Sequence, residues 1–262
     1  MCINALDAQL ESFTTSLRSW LRNKPREIII MVANREQVEQ ITAAVEEEVP
    51  PSTITASKIH VLEAELPRRR AQLAQGASRA TGAIVASCSE DVVWPEAYLM
   101  NMLPCFEDPR VGGAGQPIIP YIPEERRDDS VITPSEAAAV RIAYTRDAAV
   151  KATYAATRCC PALDGDAALY RANVLKDPCF LEAYMSESQH GSGHSLEAGE
   201  DSFISRWLQQ NEWTIAVQAK PETNVSRTVR ASGGLFPETL CEGRRASCSG
   251  LRTILSISPI LK

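Results

Sequence analysis

Three short acidic clusters contain the residues of this chain whose types and spacing could do chemistry. They are Glu90-Asp91, Asp164 with Asp166, and Glu200-Asp201. Carboxylates can hold a divalent cation or act as a general base. Helix capping is the alternative for each cluster, since acids at a helix start complement the helix dipole. Three such clusters in one chain, without a competing nucleotide motif, favour a site that needs both a cation and a base.

The elements that position these clusters follow from the spacing of apolar residues. Helical periodicity predicts helices, and short runs rich in β-branched residues predict strands. The predicted strands are 27–33, 58–64, 82–87 and 214–219, with a strand-like run interrupted by glycines at 110–117. The predicted helices are 10–21, 36–48, 67–80, 95–106, 134–158 and 199–213, and 164–177 runs from a turn into a helix.

This alternation predicts an α/β fold with a mostly parallel central sheet flanked by helices. Ligands bind such sheets outside the carboxyl ends of the strands. Glu90 and Asp91 come just after the strand predicted at 82–87. Their position therefore favours a binding role over a surface turn.

The composition argues against several classes of function. The chain has 262 residues, 44% of them hydrophobic, and a net charge of −6, which argues against nucleic acid as a partner. Its eight cysteines include no CxxC pair, so we interpret them as free thiols in a reducing compartment. The sequence has no secretory signal and no apolar run near the ~20 residues of a membrane span. These features predict a cytoplasmic protein that is soluble or peripheral to a membrane.

Several common catalytic motifs are absent from the sequence. There is no GxxxxGK[ST] loop and no GxSxG elbow, and the run VGGAGQ at 111–116 is not the GxGxxG turn of dinucleotide sites. His190 and His194 are four residues apart, but they lie in a glycine-containing stretch and lack the HExxH pattern. We therefore interpret this pair as loop residues.

Five phrases of the sequence carry a resemblance to a known family. They are LPRRRAQLAQG, GAIVASCSEDVVWP, FEDPRVGGAGQ, LDGDAALYRANVLKD and GEDSFISRWLQQNEW. In this order they resemble the family two glycosyltransferases, and within them the fungal polysaccharide-synthase branch related to hyaluronan, chitin and cellulose synthases. The resemblance runs from about residue 10 to residue 219, which is most of the chain.

The resemblance implies a Rossmann-like GT-A fold and an inverting transfer of a sugar from a UDP-sugar donor to a glycan acceptor, with Mg²⁺ or Mn²⁺ as cofactor. Family members carry an acidic triplet at the end of their third strand. In this chain the third strand is predicted at 82–87, and the triplet corresponds to Ser89, Glu90 and Asp91. The match implies that Asp91 binds the metal and that Glu90 lies at the donor. Ser89 replaces the first carboxylate and brings no charge, so we expect weaker binding of metal and donor.

The resemblance assigns the remaining site residues as well. It implies that Glu200 and Asp201 form the catalytic pair, with Asp201 taking the proton of the acceptor hydroxyl. The implied donor-binding residues are Asp7, Arg69, Arg70, Gln72, Glu90 and Asp91. The implied acceptor-side residues are Asp164, Gly165, Asp166 and Arg244.

The chain departs from the family at both ends. Family members have QxxRW after the last core strand, whereas the nearest stretch here, CEGRR at 241–245, offers only Arg244. They also have transmembrane helices on both sides, so we expect this chain to be truncated or shortened and to meet a membrane only through segments absent from it. We predict a glycosyltransferase domain at 1–230, with its first strand either present or missing. We also predict a degenerate segment at 231–262, where membrane-interface helices would start.

Three hypotheses about function stay open. The retained Asp91 and Asp201 favour an active glycosyltransferase. Ser89 and the lost QxxRW favour a catalytically impaired relative that binds the donor or regulates another protein. The third alternative is an α/β nucleotide-binding protein of other chemistry.

Overall fold

The computed structural model describes residues 2–5, 10–49, 58–122, 124, 127–128, 131–158, 160, 162–186 and 200–228. Strands and helices alternate along this part of the chain. The strands are β1 (Cys2–Ala5), β2 (Ile28–Val32), β3 (Ile59–Glu63), β4 (Ile84–Ser89), β5 (Val92–Val93), β6 (Val111–Gly115), β7 (Ile118–Tyr121), β8 (Ala167–Arg171), β9 (Thr214–Val217) and β10 (Val225–Thr228). The α-helices are α1 (Leu10–Arg22), α2 (Arg35–Glu48), α3 (Arg69–Arg79), α4 (Tyr98–Met102), α5 (Pro134–Thr157), α6 (Ala172–Leu175), α7 (Pro178–Ser186) and α8 (Glu200–Gln210).

A seven-stranded sheet forms the centre of the fold, in the order β3-β2-β1-β4-β8-β6-β9. All neighbouring strands in it are parallel except β8, which runs antiparallel to both β4 and β6. A smaller sheet has the order β5-β10-β7. The prediction of an α/β fold with a mostly parallel central sheet is therefore confirmed.

Two hydrophobic cores cover the two faces of the large sheet. Side chains alternate along a strand, so Ile28, Ile30 and Val32 of β2 enter one core while Ile29 and Met31 enter the other. Helices α1, α2 and α4 supply the first core, and helices α3, α7 and α8 supply the second. This sandwich of helix, sheet and helix leaves the carboxyl ends of the parallel strands at one edge of the sheet.

The strand β1 lies near the start of the chain and was not predicted from the sequence. Cys2–Ala5 pairs in parallel with both β2 and β4, so it lies inside the sheet rather than at an edge. Whether β1 is the first strand of the domain stays a prediction. The described residues end at 228, so the domain boundary at 230 and the segment 231–262 stay predictions.

Two predicted elements differ from the structure. The stretch 164–177 is predicted to run from a turn into a helix, but Ala167–Arg171 is the strand β8, which pairs on both sides and is largely buried, and only Ala172–Leu175 is helical. Sheet pairing and burial override the helical preference of the alanines and leucine in β8. The helix predicted at 95–106 starts only at Tyr98 and tightens into a 3-10 turn at Leu103–Phe106, where Pro104 has no N–H to donate.

The glycines of β6 are explained by close packing. An added Cβ on Gly112 or Gly113 would meet the side chain of Leu208 at 2.5 Å or 2.9 Å, and one on Gly115 would meet Leu163 at 2.5 Å. Leu208 lies on α8, so these glycines allow α8 to approach the sheet closely. The VGGAG run therefore positions a helix.

Two further findings bear on the sequence-based expectations. Among the helices that the structure describes, none combines the length and apolarity that crossing a bilayer requires. Among the described residues, Cys88, Cys105, Cys160 and Cys179 are not joined in disulfide bonds.

Glu27 joins the start of β2 to the turn that leads into β4. Its side chain is buried, and one carboxylate oxygen accepts hydrogen bonds from Thr81 N at 2.6 Å, Thr81 Oγ1 at 2.9 Å and Gly82 N at 3.2 Å. Burial alone would raise the pKa of Glu27, but these hydrogen bonds lower it below its usual 4.5. The ionised carboxylate therefore stabilises the folded state.

We expect Glu27→Gln to lower the free energy of unfolding at pH 7 by about 1–2 kcal/mol, because hydrogen bonds to a charged acceptor are stronger than those to a neutral one. A group whose folded pKa is lowered stabilises the protein above its unfolded pKa, and that stability is lost as the pH falls. The difference between wild type and variant should therefore shrink below about pH 4.5. Urea unfolding of both proteins at pH 7 and about pH 3.5 measures it, with exposed Glu46→Gln as control.

Candidate active site

The carboxyl end of β4 is where the predicted site residues meet. The antiparallel pairing with β8 sets Cys88 opposite Ala167, so the next residues, Ser89 and Asp166, face each other. The Ser89 N–H donates to the Asp166 carbonyl oxygen at 3.0 Å, and Ser89 Oγ donates to Asp166 Oδ1 at 2.6 Å. The sequence assigned Asp166 to the acceptor side, and the structure places it beside the residues predicted to bind the donor.

Arg69 approaches this pair from the start of α3. Its Nη2 donates to Ser89 Oγ at 3.0 Å and to Asp166 Oδ1 at 3.3 Å. The Arg69 side chain keeps 32% of its surface exposed. The hydroxyl that replaces a family carboxylate thus links an arginine to an aspartate.

A second arginine, Arg227, reaches the same place from the small sheet. The antiparallel pairing of β10 with β5 sets Arg227 opposite Val92, next to Asp91. Arg227 Nε donates to Asp91 Oδ2 at 3.1 Å, and its Nη1 donates to Asp166 Oδ2. The Asp91 side chain is only 3% exposed, so its charge would be costly without such a partner.

These ion pairs shift the pKa values of the acids at the strand end. Burial alone would raise the pKa of Asp166, but the guanidinium groups of Arg227 and Arg69 and the Ser89 hydroxyl hold it at about 2. The Asp166 carboxylate in turn raises the pKa of Arg227. Burial raises the pKa of Glu90, and the Asp91 charge raises it further against the two arginines. Asp166 is therefore a fixed negative charge at neutral pH.

The loop 164–166 joins this strand end to the predicted base. Asp201 lies in the first turn of α8, and its Oδ2 accepts a hydrogen bond from the Gly165 N–H at 3.2 Å. A Cβ on Gly165 would lie 3.1 Å from the Cβ of Asp201, so only glycine allows this approach without a shift. The loop therefore holds Asp201 through Gly165 and the strand end through Asp166.

Helix α5 adds an arginine to the other side of the loop. Arg146 Nη1 lies 3.2 Å from Asp164 Oδ2. Burial raises the pKa of Asp164, Arg146 lowers it, and the charges of Asp166 and Asp201 raise it again. Three aspartates are thus close enough to affect one another, and arginines neutralise part of their charge.

Hydrogen bonds with α1 and a ring contact with α4 fix the segment that follows Asp91. Trp20 Nε1 donates to the Val92 carbonyl oxygen at 2.9 Å, and the Trp94 N–H donates to Ser19 Oγ at 3.0 Å. The ring of Trp94 packs on Tyr98 with centroids 4.4 Å apart. Two buried hydrogen bonds then connect Tyr98 to β8. The Tyr98 hydroxyl donates to Gln116 Oε1 at 2.8 Å, and Gln116 Nε2 donates to the Ala167 carbonyl oxygen at 2.6 Å.

Two residues predicted to bind the donor lie in packed surroundings. The Arg70 guanidinium carbon is 5.0 Å from the ring centroid of Tyr184 and 5.4 Å from that of Phe203, and its Nη1 donates to the Tyr184 carbonyl oxygen at 2.7 Å. Arg70 therefore ties α3 to α7 and to α8, the helix that carries Asp201. Gln72 is fully buried on α3. A direct role in donor binding stays a prediction for both.

Three of the predicted site residues cannot be placed. Asp7 and Arg244 lie outside the described residues, and for Glu200 only the helical main chain is described. His190 and His194 also fall outside the described part of the chain. Their roles stay predictions.

Sequence reasoning missed Arg146 and Arg227. Arg146 lies in a long helix of mixed composition and Arg227 in a short strand, and neither belongs to a phrase that carried the resemblance. The usable signal was charge balance, because carboxylates that converge in a partly buried site need cations. The sequence pattern suggests a metal ion in that role, whereas the structure supplies arginines from other elements.

The acids at this strand end are engaged in ion pairs where Mg²⁺ or Mn²⁺ is expected. Asp91, the implied ligand, is buried against Arg227, and Asp166 is engaged by Arg227, Arg69 and Ser89. In the part of the chain that the structure describes, no three His, Cys, Asp or Glu side chains are placed to share a metal ion. In this arrangement the residues do not fit a divalent ion, and Mg²⁺ or Mn²⁺ stays a prediction from the resemblance.

Comparison with known proteins gives relatives for this chain. At 30% identity over 223 residues it resembles the NDP-glycosyltransferase ltbB of Aspergillus luteorubrus, with 84% of this chain and 52% of that protein covered. At 25% identity over 227 residues it resembles a type 2 glycosyltransferase of Pyricularia oryzae, with 87% and 45% covered. The chain thus spans about half the length of these relatives.

A solved structure and a sequence model of a protein family also resemble this chain. The structure of S. aureus TarS 1–349 in complex with UDP superimposes with a TM-score of 0.52 at 14% identity, covering 97% of this chain and 66% of that one. The fold is therefore the GT-A glycosyltransferase fold. The sequence model described as "Glycosyltransferase like family 2" matches residues 8–242. With nearly the whole chain matched, this protein belongs to glycosyltransferase family 2.

Proposed function

We propose that this chain transfers a sugar, with inversion, from a UDP-sugar donor to a hydroxyl group of a glycan acceptor. Membership of glycosyltransferase family 2 supports the reaction class. The similar fold of TarS, which was solved with UDP, supports a uridine nucleotide as donor. The reaction class is the general part of this proposal, and the UDP-sugar donor and the glycan acceptor are its specific part.

The observation that carries the proposal is the loop 164–166, which connects two chemically different groups. On one side Gly165 holds the carboxylate of Asp201. On the other side Asp166 joins Ser89 and the two arginines at the end of β4. A carboxylate near two partly exposed arginines is what base-assisted attack on a sugar diphosphate requires.

The chemistry follows from these two groups. Asp201 takes the proton of the acceptor hydroxyl as that oxygen attacks the anomeric carbon of the donor sugar. The bond from the anomeric carbon to the diphosphate breaks, and the diphosphate leaves with the electron pair. Attack from the side opposite the leaving group inverts the anomeric configuration. Arg69 and Arg227 favour departure of the diphosphate, because fixed positive charges stabilise the charge that develops on it.

The alternative of a catalytically impaired relative has one observation in its favour. Ser89 is a hydroxyl where the family has a carboxylate, and it is committed to Asp166 and Arg69. An impaired relative would bind the donor without turning it over. Binding and turnover must therefore be measured separately.

Binding of UDP tests the proposal first. A ligand that binds only the folded state raises its melting temperature, so we expect millimolar UDP to raise that of this chain, with MnCl₂ present in a parallel sample. AMP under the same conditions is the control for nonspecific nucleotide effects. If UDP produces no shift in either sample, the proposed function is wrong.

Asp201→Asn tests the assignment of the base. We expect this variant to keep the UDP-induced shift and to lose about 10²–10⁴-fold in turnover, because asparagine cannot accept the proton. Release of UDP from a panel of UDP-sugars, with and without glycan acceptors, measures turnover. Wild-type binding with no turnover for any pair would instead support the impaired relative, and an active Asp201→Asn variant would exclude Asp201 as the base.

Gly165→Ala tests how closely the loop must approach Asp201. The added methyl group would lie 3.1 Å from Asp201 Cβ and 3.4 Å from its Cγ, so the carboxylate must shift by a few tenths of an ångström. We expect turnover to fall about 10–100-fold, because small misplacements of a catalytic group are costly. UDP binding should stay within twofold of wild type.

Gly82→Ala is the matched control for this variant. Its methyl group would meet a neighbour at 3.3 Å, but at the opposite end of β4 from the site. It should leave turnover within about twofold of wild type. Equal losses in the two variants would mean that Gly165 acts on stability alone.

A further inference from the structure

Arg227 occupies the position between two carboxylates at the donor end of the site. It donates from Nε to Asp91 and from Nη1 to Asp166, while Arg69 donates to Asp166 and Ser89 from the other side. The four ion-paired residues Asp91, Arg227, Asp166 and Arg69 therefore alternate in sign around the end of β4. A metal ion that used either carboxylate would first have to separate these pairs.

The position of Arg227 is set by the main chain as well as by the ion pairs. Its place opposite Val92 is fixed by the pairing of β10 with β5, and β10 also pairs in parallel with β7. Asp91 is 3% exposed and directly precedes β5. Because a buried carboxylate that loses its partner is strongly destabilising, displacement of Arg227 from Asp91 would be unfavourable.

The charges of the four ion-paired side chains at the strand end balance without a metal ion. Asp91 and Asp166 bring two negative charges, Arg69 and Arg227 bring two positive charges, and Ser89 brings none. Two arginines supply the same positive charge as one divalent cation. The replacement of a carboxylate by Ser89 fits this balance, because a carboxylate that contacted Asp166 and Arg69 there would add a negative charge to the ion-paired network without adding a cation.

The two arginines also keep surface available for a ligand. The side chains of Arg227 and Arg69 are 42% and 32% exposed. Arg227 uses Nε and Nη1 for the carboxylates, and its Nη2 has no partner among the described residues. The planar guanidinium group presents paired donors that match the oxygens of a phosphate group.

We propose that Arg227, together with Arg69, binds the diphosphate of the nucleotide-sugar donor in place of a divalent metal ion, so that donor binding by this chain does not require one. This inference rests on the proposed function, since it concerns the same donor. It assigns a donor-binding role to Arg227, which lies on a strand outside the acidic triplet. The phosphate-facing cation is then a fixed part of the protein rather than an exchangeable ion.

Calorimetric titration of UDP into the wild-type chain tests the proposal directly. One sample contains excess EDTA and the other contains MnCl₂. We expect dissociation constants that agree within about threefold. A value at least tenfold weaker in EDTA would overturn the proposal and leave the proposed function standing, whereas no binding in either sample would overturn both.

Arg227→Gln tests the residue itself. We expect UDP binding in EDTA to weaken at least tenfold, and MnCl₂ to restore part of it, because Asp91 and Asp166 would then be open to the ion. Arg227→Lys keeps the charge but loses the planar pair of donors, so its affinity should fall between the two. Unchanged binding by Arg227→Gln in EDTA would show that Arg227 does not contact the diphosphate.

Arg110→Gln is the matched control. Arg110 is 75% exposed and pairs with Asp108 on the surface, so its removal should leave UDP binding unchanged. Circular dichroism and the melting temperature of each variant check that it folds. If Arg227→Gln does not fold, the lysine variant and the EDTA comparison on the wild type still decide between the two outcomes.

Discussion

The antiparallel insertion of β8 between β4 and β6 is the constraint on which the site depends. Its register brings Asp166 beside Ser89, at the point where a parallel strand ends. The residues just before β8 then form the loop 164–166, whose middle glycine holds Asp201. One strand thus joins the cluster of charged side chains at the end of β4 to the candidate base, Asp201. If β8 moved in register by one residue, both contacts would be lost together.

Burial of charge explains why so many elements converge on this edge. Asp91 is almost inaccessible and would cost several kcal/mol to bury alone. Its partner Arg227 comes from the small sheet, whose strand β10 pairs with the residues that follow Asp91. Arg146 from α5 does the same for Asp164. The site therefore couples the large sheet, the small sheet and a long helix through ion pairs.

The sequence revealed the layers of the fold and the position of the acids more readily than their partners. Local apolar runs predicted β2 and β4, because strands buried on both faces read as continuous apolar segments. The edge strands β3 and β9 are only partly buried, and their shorter apolar runs were still sufficient to predict them. The strand β8 was predicted as helix, since its identity comes from pairing with distant strands rather than from its own composition. Arg227 was missed for a related reason, because it is 136 residues away from Asp91 along the chain. Only the folded topology makes them neighbours.

Ser89 has a different meaning once its partners are known. From the sequence it is a lost carboxylate, which predicts a weakened site. In the structure its hydroxyl donates to Asp166 at 2.6 Å and accepts from Arg69 at 3.0 Å. An ionised carboxylate at this position could not donate, and it would place two negative charges in contact. Ser89 is therefore compatible with an edge where arginines supply the positive charge, and a carboxylate there would favour recruitment of a further cation.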